Sequence, residues 1–347
     1  MIKSWIFDSF LYTGDPRPEE FDPASCAELY QEYLGRWVAA EDHGFTGVFF
    51  SEHHFAAYNL SPSPNLLVAA VAARTERLLL GVMSNTVAVH HPVRLAEECG
   101  MLDQLSNGRL QIGLGPGSGP REPGMLGIAA EDVRPLFREG VEVVVAALSG
   151  AEFSHHGKFH DFERLAVWPR PVQRPLPPVW ITVMSVDSAI WAGTQGFLAA
   201  TAWAGAEEVK RRFDAYQEAA DAAGQPTGPD RVALRRRVFV TDTDERAHTV
   251  VDAARDQFFE VTLANAGGRA ESAVRDLMCV PDDFVIGSVD TVTERLIEQA
   301  RFVGTTNILC WTDFKAFAPR ELNHCHELLA QVNERLRQAD VATATPA

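Results

Sequence analysis

Residues 78–115 read LLLGVMSNTVAVHHPVRLAEECGMLDQLSNGRLQIGLG and contain one complete strand–helix–strand unit. The apolar run Leu78–Ser84 predicts a strand, and Pro92 suits the first position of the helix that follows. Apolar residues then recur at helical spacing up to the turn sequence Ser-Asn-Gly at 106–108, after which Arg109–Leu114 predicts the next strand. This stretch therefore predicts an α/β fold.

The same alternation continues in both directions from this unit. Predicted strands lie at Ile2–Phe7, Gly47–Ser51, Leu78–Ser84, Arg109–Leu114, Val179–Val183, Phe197–Thr201, Val232–Val240 and Thr306–Trp311. Eight strand–helix units predict a (β/α)8 TIM barrel, which we expect to form a single domain over residues 1–338 with a disordered tail at 339–347. A doubly wound open sheet is the alternative, but no glycine-rich turn follows the first strand and no linker divides the chain.

Three predicted connections are unusually long. They are insertion loops at 115–131 after the fourth strand, at 150–178 before the fifth, and at 264–286 before the eighth helix. Loops that follow strands build the active sites of barrels, so we expect the first to contact a ligand. The third contains Gly267, Gly268, Arg269 and Arg275 and is a candidate for a mobile lid.

Composition excludes several classes of function. Lys and Arg number 31 against 47 Asp and Glu, a net charge of −16, which opposes nonspecific binding to nucleic acid or to an anionic membrane. The longest apolar run has eight residues, whereas a membrane span needs about 20. Five cysteines without a C-x-x-C pair, together with the lack of a signal-peptide core, predict a reduced cytoplasmic protein.

Histidines follow the second predicted strand in the sequence Glu52-His53-His54. An imidazole at the mouth of a barrel can act as a general acid or base near neutral pH. Neighbouring side chains at a strand end point to opposite sides, so only one of the two should face the barrel axis. The alternative is a packed or capping histidine. The histidine pairs at 53–54, 90–91 and 155–156 are adjacent, which is not a metal-ligand spacing, and we predict no metal site.

Two further segments are candidates for ligand binding. The glycine-rich stretch 113–119 reads GLGPGSG, which departs from the dinucleotide pattern; it is either a loop whose backbone approaches a flat ligand or anion, or a plain surface loop. After the fifth strand, Met184, Ser185 and Ser188 surround the start of a helix. Hydroxyls and free backbone N–H groups there form an anion site or ordinary helix capping by Ser185 or Asp187.

Several motifs, in this order, resemble the luciferase-like flavin-dependent monooxygenases of the bacterial luciferase superfamily. They are AEDHGF at 40–45, FSEHHF at 50–55, HPVRLAEE at 91–98, MLDQLSNGR at 101–109, GLG at 113–115, GSVDTV at 287–292 and GTTNILC at 304–310. The resemblance implies a barrel that binds reduced FMN at its C-terminal mouth. It further implies that O₂ adds to the flavin and that the resulting peroxyflavin oxidises a small organic substrate. A separate flavin reductase supplying the reduced FMN, and a homodimer, are also implied.

The resemblance also assigns residues. It implies that His53 is catalytic and that His54 lies beside it near the substrate. The flavin phosphate falls to Ser185 and Ser188 after Met184, and the flavin ring to Gly115 and a segment with a cis peptide bond at Met83-Ser84. Gly117, in the glycine-rich stretch, is a further candidate for binding the cofactor.

Two positions depart from the family pattern. Gly115 replaces a cysteine at the reactive edge of the flavin, which puts a long-lived peroxyflavin in doubt. Pro116 replaces an arginine that helps to bind the phosphate, which suggests Arg269 or Arg275 as another cation, or none. Two alternatives remain: a deazaflavin-dependent hydride-transfer oxidoreductase of the same fold, and a non-catalytic flavin-binding subunit, against which His53 argues.

Overall fold

The computed structural model describes residues 1–117, 119, 121–201, 203–265, 280–314 and 317–341. Its strands in chain order are β1 (Lys3–Asp8), β2 (Gly47–Phe50), β3 (Leu79–Val82), β4 (Asn85–Thr86), β5 (Leu110–Gly115), β6 (Phe153–His156), β7 (Asp161–Leu165), β8 (Val179–Thr182), β9 (Leu198–Thr201), β10 (Val232–Val240), β11 (Phe284–Gly287) and β12 (Asn307–Trp311). Its helices are α1 (Pro23–Ala39), α2 (Pro64–Ala72), α3 (Pro92–Leu105), α4 (Arg121–Met125), α5 (Ala130–Ser149), α6 (Val186–Thr194), α7 (Ala206–Ala222), α8 (Asp244–Asn265), α9 (Val289–Val303) and α10 (Pro319–Gln338).

Eight parallel strands close into a barrel in the order β1, β2, β3, β5, β8, β9, β10, β12 and back to β1. Lys3 of β1 is in register with Asn307 of β12, and this pairing closes the ring. The predicted (β/α)8 barrel is therefore confirmed. Two short strands extend it at the C-terminal end: β4 pairs with the end of β5, and β11 pairs with the last four residues of β10.

The segments predicted as loops contain regular structure. Strands β6 and β7 form an antiparallel hairpin within 150–178, β11 lies at the end of 264–286, and α4 lies within 115–131. The hairpin is only half-buried and rich in His, Asp and Glu, so it lacks the apolar alternation by which strands are recognised. Glu139 of α5 stabilises the hairpin's turn by accepting the backbone N–H groups of Lys158, Phe159 and His160.

Aromatic rings fill the inside of the barrel. Trp5 and Phe49 stack with ring centroids 5.2 Å apart, and the Trp180 ring meets both edge-on at 6.1 and 5.7 Å. The indole N–H groups of both tryptophans have acceptors, Asn307 for Trp5 and Gln111 for Trp180, so neither indole is buried with an unpaired donor. The interior is a packed core, and a ligand must bind above it, at the end where the strands terminate.

No helix among the residues that the structure describes is long and apolar enough to cross a membrane.

Candidate active site at the mouth of the barrel

Strand β5 passes unusually close to the segment that follows β3. The Met83–Ser84 peptide bond in that segment is cis. A Cβ atom on Gly113 would lie 1.9 Å from the Val82 carbonyl oxygen, and one on Gly115 would lie 2.0 Å from Ser84 Oγ. Glycine is therefore required at position 113 for the two backbones to lie against each other, whereas a side chain at position 115 would require the Ser84 side chain to move. The Ser84 hydroxyl occupies the space beside Gly115.

His53 lies at the mouth and is held by a carboxylate. After β5, Gly117 adopts a φ of +88° and leads toward α4, which carries Glu122. The Oε1 atom of Glu122 lies 3.0 Å from His53 Nδ1 and accepts a hydrogen bond of 3.1 Å from the Tyr58 hydroxyl. This arrangement places the Nδ1 proton between the ring and Glu122, and within the described residues His53 Nε2 has no hydrogen-bond partner.

Within this group of side chains, the surroundings of Glu122 favour its charged form. Burial alone would raise the pKa of Glu122, but hydrogen bonds from His53 and Tyr58 and the charge of His53 outweigh it, and the pKa is lowered. Burial and the neighbouring Glu122 charge raise the pKa of Tyr58, so the phenol stays protonated. A carboxylate that fixes one imidazole nitrogen leaves the other free to exchange a proton with a ligand.

His54 turns to a different carboxylate. Glu52, whose side chain is fully buried, lies 2.9 Å from His54 Nε2 and 3.0 Å from His90 Nε2, and it accepts the backbone N–H of Thr86 at 3.2 Å. The two neighbouring histidines thus have separate partners, as the alternation of side chains at a strand end predicts. This cluster ties the segment after β2 to the segment after β3.

In the Glu52 cluster, the carboxylate and the two imidazoles each favour the charged form of the other. Burial opposes ionisation of Glu52, but the hydrogen bonds from His54 and His90 outweigh it and lower the pKa of Glu52. Its hydrogen bond to His54 raises the pKa of that imidazole. Burial would lower the pKa of His90, but Glu52 outweighs this effect and raises it. The cluster therefore links its segments through charge-assisted hydrogen bonds.

The start of α6 forms a capping box. Ser185 Oγ accepts the backbone N–H of Ser188, and Ser188 Oγ accepts the N–H groups of Ser185 and Met184 at 3.0 and 3.1 Å. Ser185, rather than Asp187, is the N-cap. The capping alternative is thus realised, and the positive end of the helix dipole still points toward the mouth.

Two arginines lie beside this helix start. A cavity is lined by Arg134 and Arg138 of α5 together with Ser188, Trp191 and Pro116. The Arg138 guanidinium stacks on the Trp191 ring with its Cζ atom 3.5 Å from the ring centroid. Burial and then the charge of Arg134 lower the pKa of Arg138. Neither guanidinium has an ion pair within the part of the chain that the structure describes, so the cavity is electropositive.

The candidate lid residues Gly267, Gly268, Arg269 and Arg275 lie outside the described residues. Within the described ranges, no group of three or more His, Cys, Asp or Glu side chains is arranged to hold a metal ion.

Comparison with known proteins identifies the family. A model of the luciferase-like monooxygenase family matches residues 11–306. The chain belongs to this family. It is thus an enzyme of the luciferase-like monooxygenase type, in agreement with the resemblance of its motifs.

Named relatives within the family include two oxygenases. The oxygenase component of a flavin-dependent trigonelline monooxygenase from Acinetobacter baylyi is 28% identical over 67% of this chain and 65% of its own length. The 3,6-diketocamphane 1,6-monooxygenase from Pseudomonas putida is 27% identical over 75% of this chain and 80% of its own. The solved monooxygenase RslO1 from Streptomyces bottropensis is 26% identical, with a TM-score of 0.82 over 95% of this chain and 98% of that one.

Sequence reasoning found only part of this candidate site. It singled out His53, but it assigned no role to Glu52, Glu122, Arg134 or Arg138. A signal existed for the arginines, because residues four apart on a helix share a face and two cations there with no acid between them invite an anion. No local signal marks Glu122, which lies 69 positions from His53 and meets it only through the fold.

Proposed function

We propose that this protein is a flavin-dependent monooxygenase that uses reduced FMN and O₂ to oxidise a small organic substrate. The observation that carries the proposal is the pair Arg134 and Arg138, which faces the start of α6 in one cavity without an ion pair among the described residues. FMN differs from riboflavin by a phosphate, and this cavity has the charge that a phosphate requires.

The residues present fit the phosphate. Backbone N–H groups at a helix start favour an anion, and guanidinium groups donate charge-assisted hydrogen bonds to phosphate oxygens. The stack on Trp191 restricts Arg138 before any ligand arrives, which reduces the entropy lost on binding. Ser185 and Ser188 support phosphate binding because their capping box fixes the first turn of α6. Ser188 also lines the cavity itself.

The residues that we propose for the ring end of the site are three small residues and two methionines. Met83, Ser84, Gly115, Gly117 and Met184 are the residues that we propose to hold the flavin ring. Met83 belongs to the packed barrel interior, so the ring would rest on an apolar floor. When bound in its reduced form, the flavin supplies the electrons and the position at which O₂ is activated.

We propose that the protein itself contributes a proton-transfer group to the reaction. We propose that His53 exchanges a proton through Nε2 while Glu122 holds Nδ1. An ionised Glu122 accepts the hydrogen bond from Nδ1–H and keeps the ring in one orientation. We propose that His54 has a supporting role beside the substrate, because its imidazole is already engaged by Glu52.

We further propose that a separate reductase delivers the reduced flavin, because the relative from Acinetobacter baylyi is named as an oxygenase component.

We also propose that the protein acts in the cytoplasm, because the described cysteines, Cys26, Cys99, Cys310 and Cys325, are unpaired and buried thiols.

An exposed apolar surface supports a homodimer. Leu66 of α2, Met101 and Leu105 of α3, and Trp168 and Val172 of the adjacent loop expose between 44% and 72% of their area. Large apolar side chains gathered on one flank of a monomer mark an association surface. A molar mass measured by light scattering at several concentrations tests this assembly; a monomer at every concentration would contradict it.

The experiment that tests the function is an anaerobic titration of the protein with reduced FMN, followed by exposure to O₂ with a panel of small organic substrates. We expect reduced FMN to bind and O₂ consumption to yield an oxygenated product. Tight binding of a reduced deazaflavin in preference to FMN would instead indicate hydride transfer without oxygen. FMN binding with no turnover of any kind would favour a non-catalytic subunit.

A further inference from the structure

The Tyr58 hydroxyl is the third member of the group that holds His53. Its Oη atom lies 3.0 Å from His53 Nδ1 and 3.1 Å from Glu122 Oε1, and those two atoms are themselves 3.0 Å apart. All three atoms are therefore within hydrogen-bond distance of one another. An ionised carboxylate has no proton, so only two hydrogens, one on Nδ1 and one on Oη, serve these three contacts. Glu122 Oε1 is thus the acceptor that both donors share.

The loop after β2 brings Tyr58 back to His53. Between the two residues, Phe55 adopts a φ of +58°, a left-handed conformation that is uncommon for a bulky residue. Asn59 then fastens the returning chain, because its side-chain amide donates to Ser51 Oγ at 2.7 Å. The rings of Tyr58 and His53 consequently lie with their centroids 5.0 Å apart. The loop itself therefore places a phenol against Nδ1.

Glu122 is a nearly buried carboxylate whose charge depends on its donors. Its side chain is 8% exposed. Burial favours the neutral form, but hydrogen bonds from His53, from Tyr58 and from the backbone N–H of His54 lower the pKa of Glu122. The charge of Arg121, on the same helix as Glu122, also acts on Tyr58. Removal of one of these donors therefore leaves a buried charge less well stabilised.

The protonation of Glu122 decides which nitrogen of His53 carries a proton. While Glu122 is ionised, Nδ1–H donates to it, and Nε2 keeps a lone pair that can accept a proton. A further proton taken up by Glu122 and His53 together removes this state, whether it rests on the carboxyl group or on Nε2. Tyr58 opposes this uptake, because its hydroxyl donates more strongly to a carboxylate than to a carboxylic acid.

We propose that Tyr58 is a positioning residue that keeps Nε2 of His53 able to accept a proton, because its hydroxyl donates a hydrogen bond to Glu122. The inference rests on the proposed function, in which His53 is the proton-transfer group. Tyr58 acts through Glu122 and does not itself exchange a proton with the substrate. The stabilisation of the carboxylate is lost as the pH falls and Glu122 is protonated, so loss of the hydroxyl should narrow the working range on the acid side.

The test is the reactivity of His53 toward diethyl pyrocarbonate, which modifies an imidazole nitrogen that carries a lone pair. The full chain is treated from pH 8 down to pH 5, without flavin or substrate. Peptide mass spectrometry measures the modification of His53 relative to that of His156, which is 64% exposed. In Tyr58→Phe, the ratio of the His53 rates at pH 5 and pH 8 should be about fivefold lower than in the wild type. The same pH dependence in both proteins would overturn the proposal.

Tyr30→Phe is the matched control. The Tyr30 hydroxyl donates to the Leu60 carbonyl oxygen at 2.6 Å, so this variant also removes a tyrosine hydroxyl that holds the loop after β2. It leaves Glu122 untouched and should keep the wild-type pH dependence. An equal loss in Tyr30→Phe would show that a loosened loop explains the effect, which contradicts the proposal. In a Glu122→Gln background, Tyr58→Phe should change nothing further, and an effect of the same size there would exclude action through Glu122.

The wild-type protein alone also provides a test. Long-range ¹H–¹⁵N spectra of the imidazole signals at pH 8 should show His53 with its proton on Nδ1 and a lone pair on Nε2. A proton on Nε2 under these conditions would refute the proposal without any variant having to fold. Failure of reduced FMN to bind, with the effect of Tyr58 on His53 reactivity still present, would instead sink the proposed function and leave the action of Tyr58 on Glu122 standing.

Discussion

The replacement of Arg138 by glutamine gives the most direct test of the proposed phosphate site. The guanidinium of Arg138 is half-buried, stacked on Trp191 and without an ion pair in the described part of the chain, so removing its charge breaks no ion pair and costs only the stack on Trp191 and a weak attraction to Glu142. The variant should therefore fold, with a thermal midpoint close to that of the wild type.

The expected loss of FMN affinity follows from the contacts removed. A hydrogen bond to a charged group contributes about 1.5–3 kcal/mol, which corresponds to roughly a 10- to 150-fold increase in Kd. Riboflavin has the same ring without the phosphate, so its affinity should not change. Arg138→Lys should give an intermediate loss, because lysine keeps the charge but not the planar group that stacks on the indole.

The assay is an anaerobic fluorescence titration with reduced FMN and reduced riboflavin at two salt concentrations. FMN binding to the wild type should weaken with salt, and the variant should lose part of this dependence. Arg211→Gln, a surface substitution at a residue that is 65% exposed, is the matched control. Equal weakening of FMN and riboflavin would show that Arg138 supports the ring or the fold; unchanged FMN affinity would place the phosphate elsewhere.

Three other substitutions test the remaining parts of the argument. His53→Ala should keep FMN affinity and lower substrate oxidation by about 10²-fold in steady-state turnover; an unchanged rate would mean that the histidine is structural. Burial raises the pKa of Asp313 from its usual 3.8 to about 7, so the stability from its protonated form is present below pH 4 and is lost as the pH rises through 7. Asp313→Asn should therefore melt at a higher temperature relative to the wild type at pH 8 than at pH 5, and a constant difference would contradict this. Gly113→Ala should be strongly destabilised, because its Cβ would lie 1.9 Å from the Val82 carbonyl oxygen, whereas Gly119→Ala, with nothing within 4 Å of its Cβ, should melt like the wild type.

Elements with a strong local signal were predicted well. Helix α3 spans Pro92–Leu105, as the proline at its start and the turn sequence at its end indicate, and β10 has the predicted bounds Val232–Val240. The β6–β7 hairpin was missed because its strands are short and polar, and because Glu139, which organises its turn, lies on a different element. Local patterns therefore reveal what the backbone prefers, but not what a distant carboxylate stabilises.

The same distinction holds in the site. The position of His53 after a strand and the hydroxyls at the start of α6 are local properties, and they were visible in the sequence. The carboxylate that orients His53 comes from α4, and the cations that face Ser188 come from α5. These partners come close to His53 and Ser188 only because β5 pairs with β3 on one side and with β8 on the other. That arrangement is a property of the assembled barrel and not of any local sequence pattern.

The distribution of charge around the mouth would allow an acidic protein to bind the phosphate that we propose. The chain carries a net charge of −16, so its surface repels polyanions at long range. Arg134 and Arg138 instead lie at the mouth, where no described carboxylate forms an ion pair with them and the surroundings screen their charge less than water does. A small anion that reaches the mouth gains this local attraction, whereas a nucleic acid or an anionic bilayer is too large to enter and experiences the surface charge instead. Cations confined in this way would provide the proposed selectivity for a small anionic ligand without a basic surface.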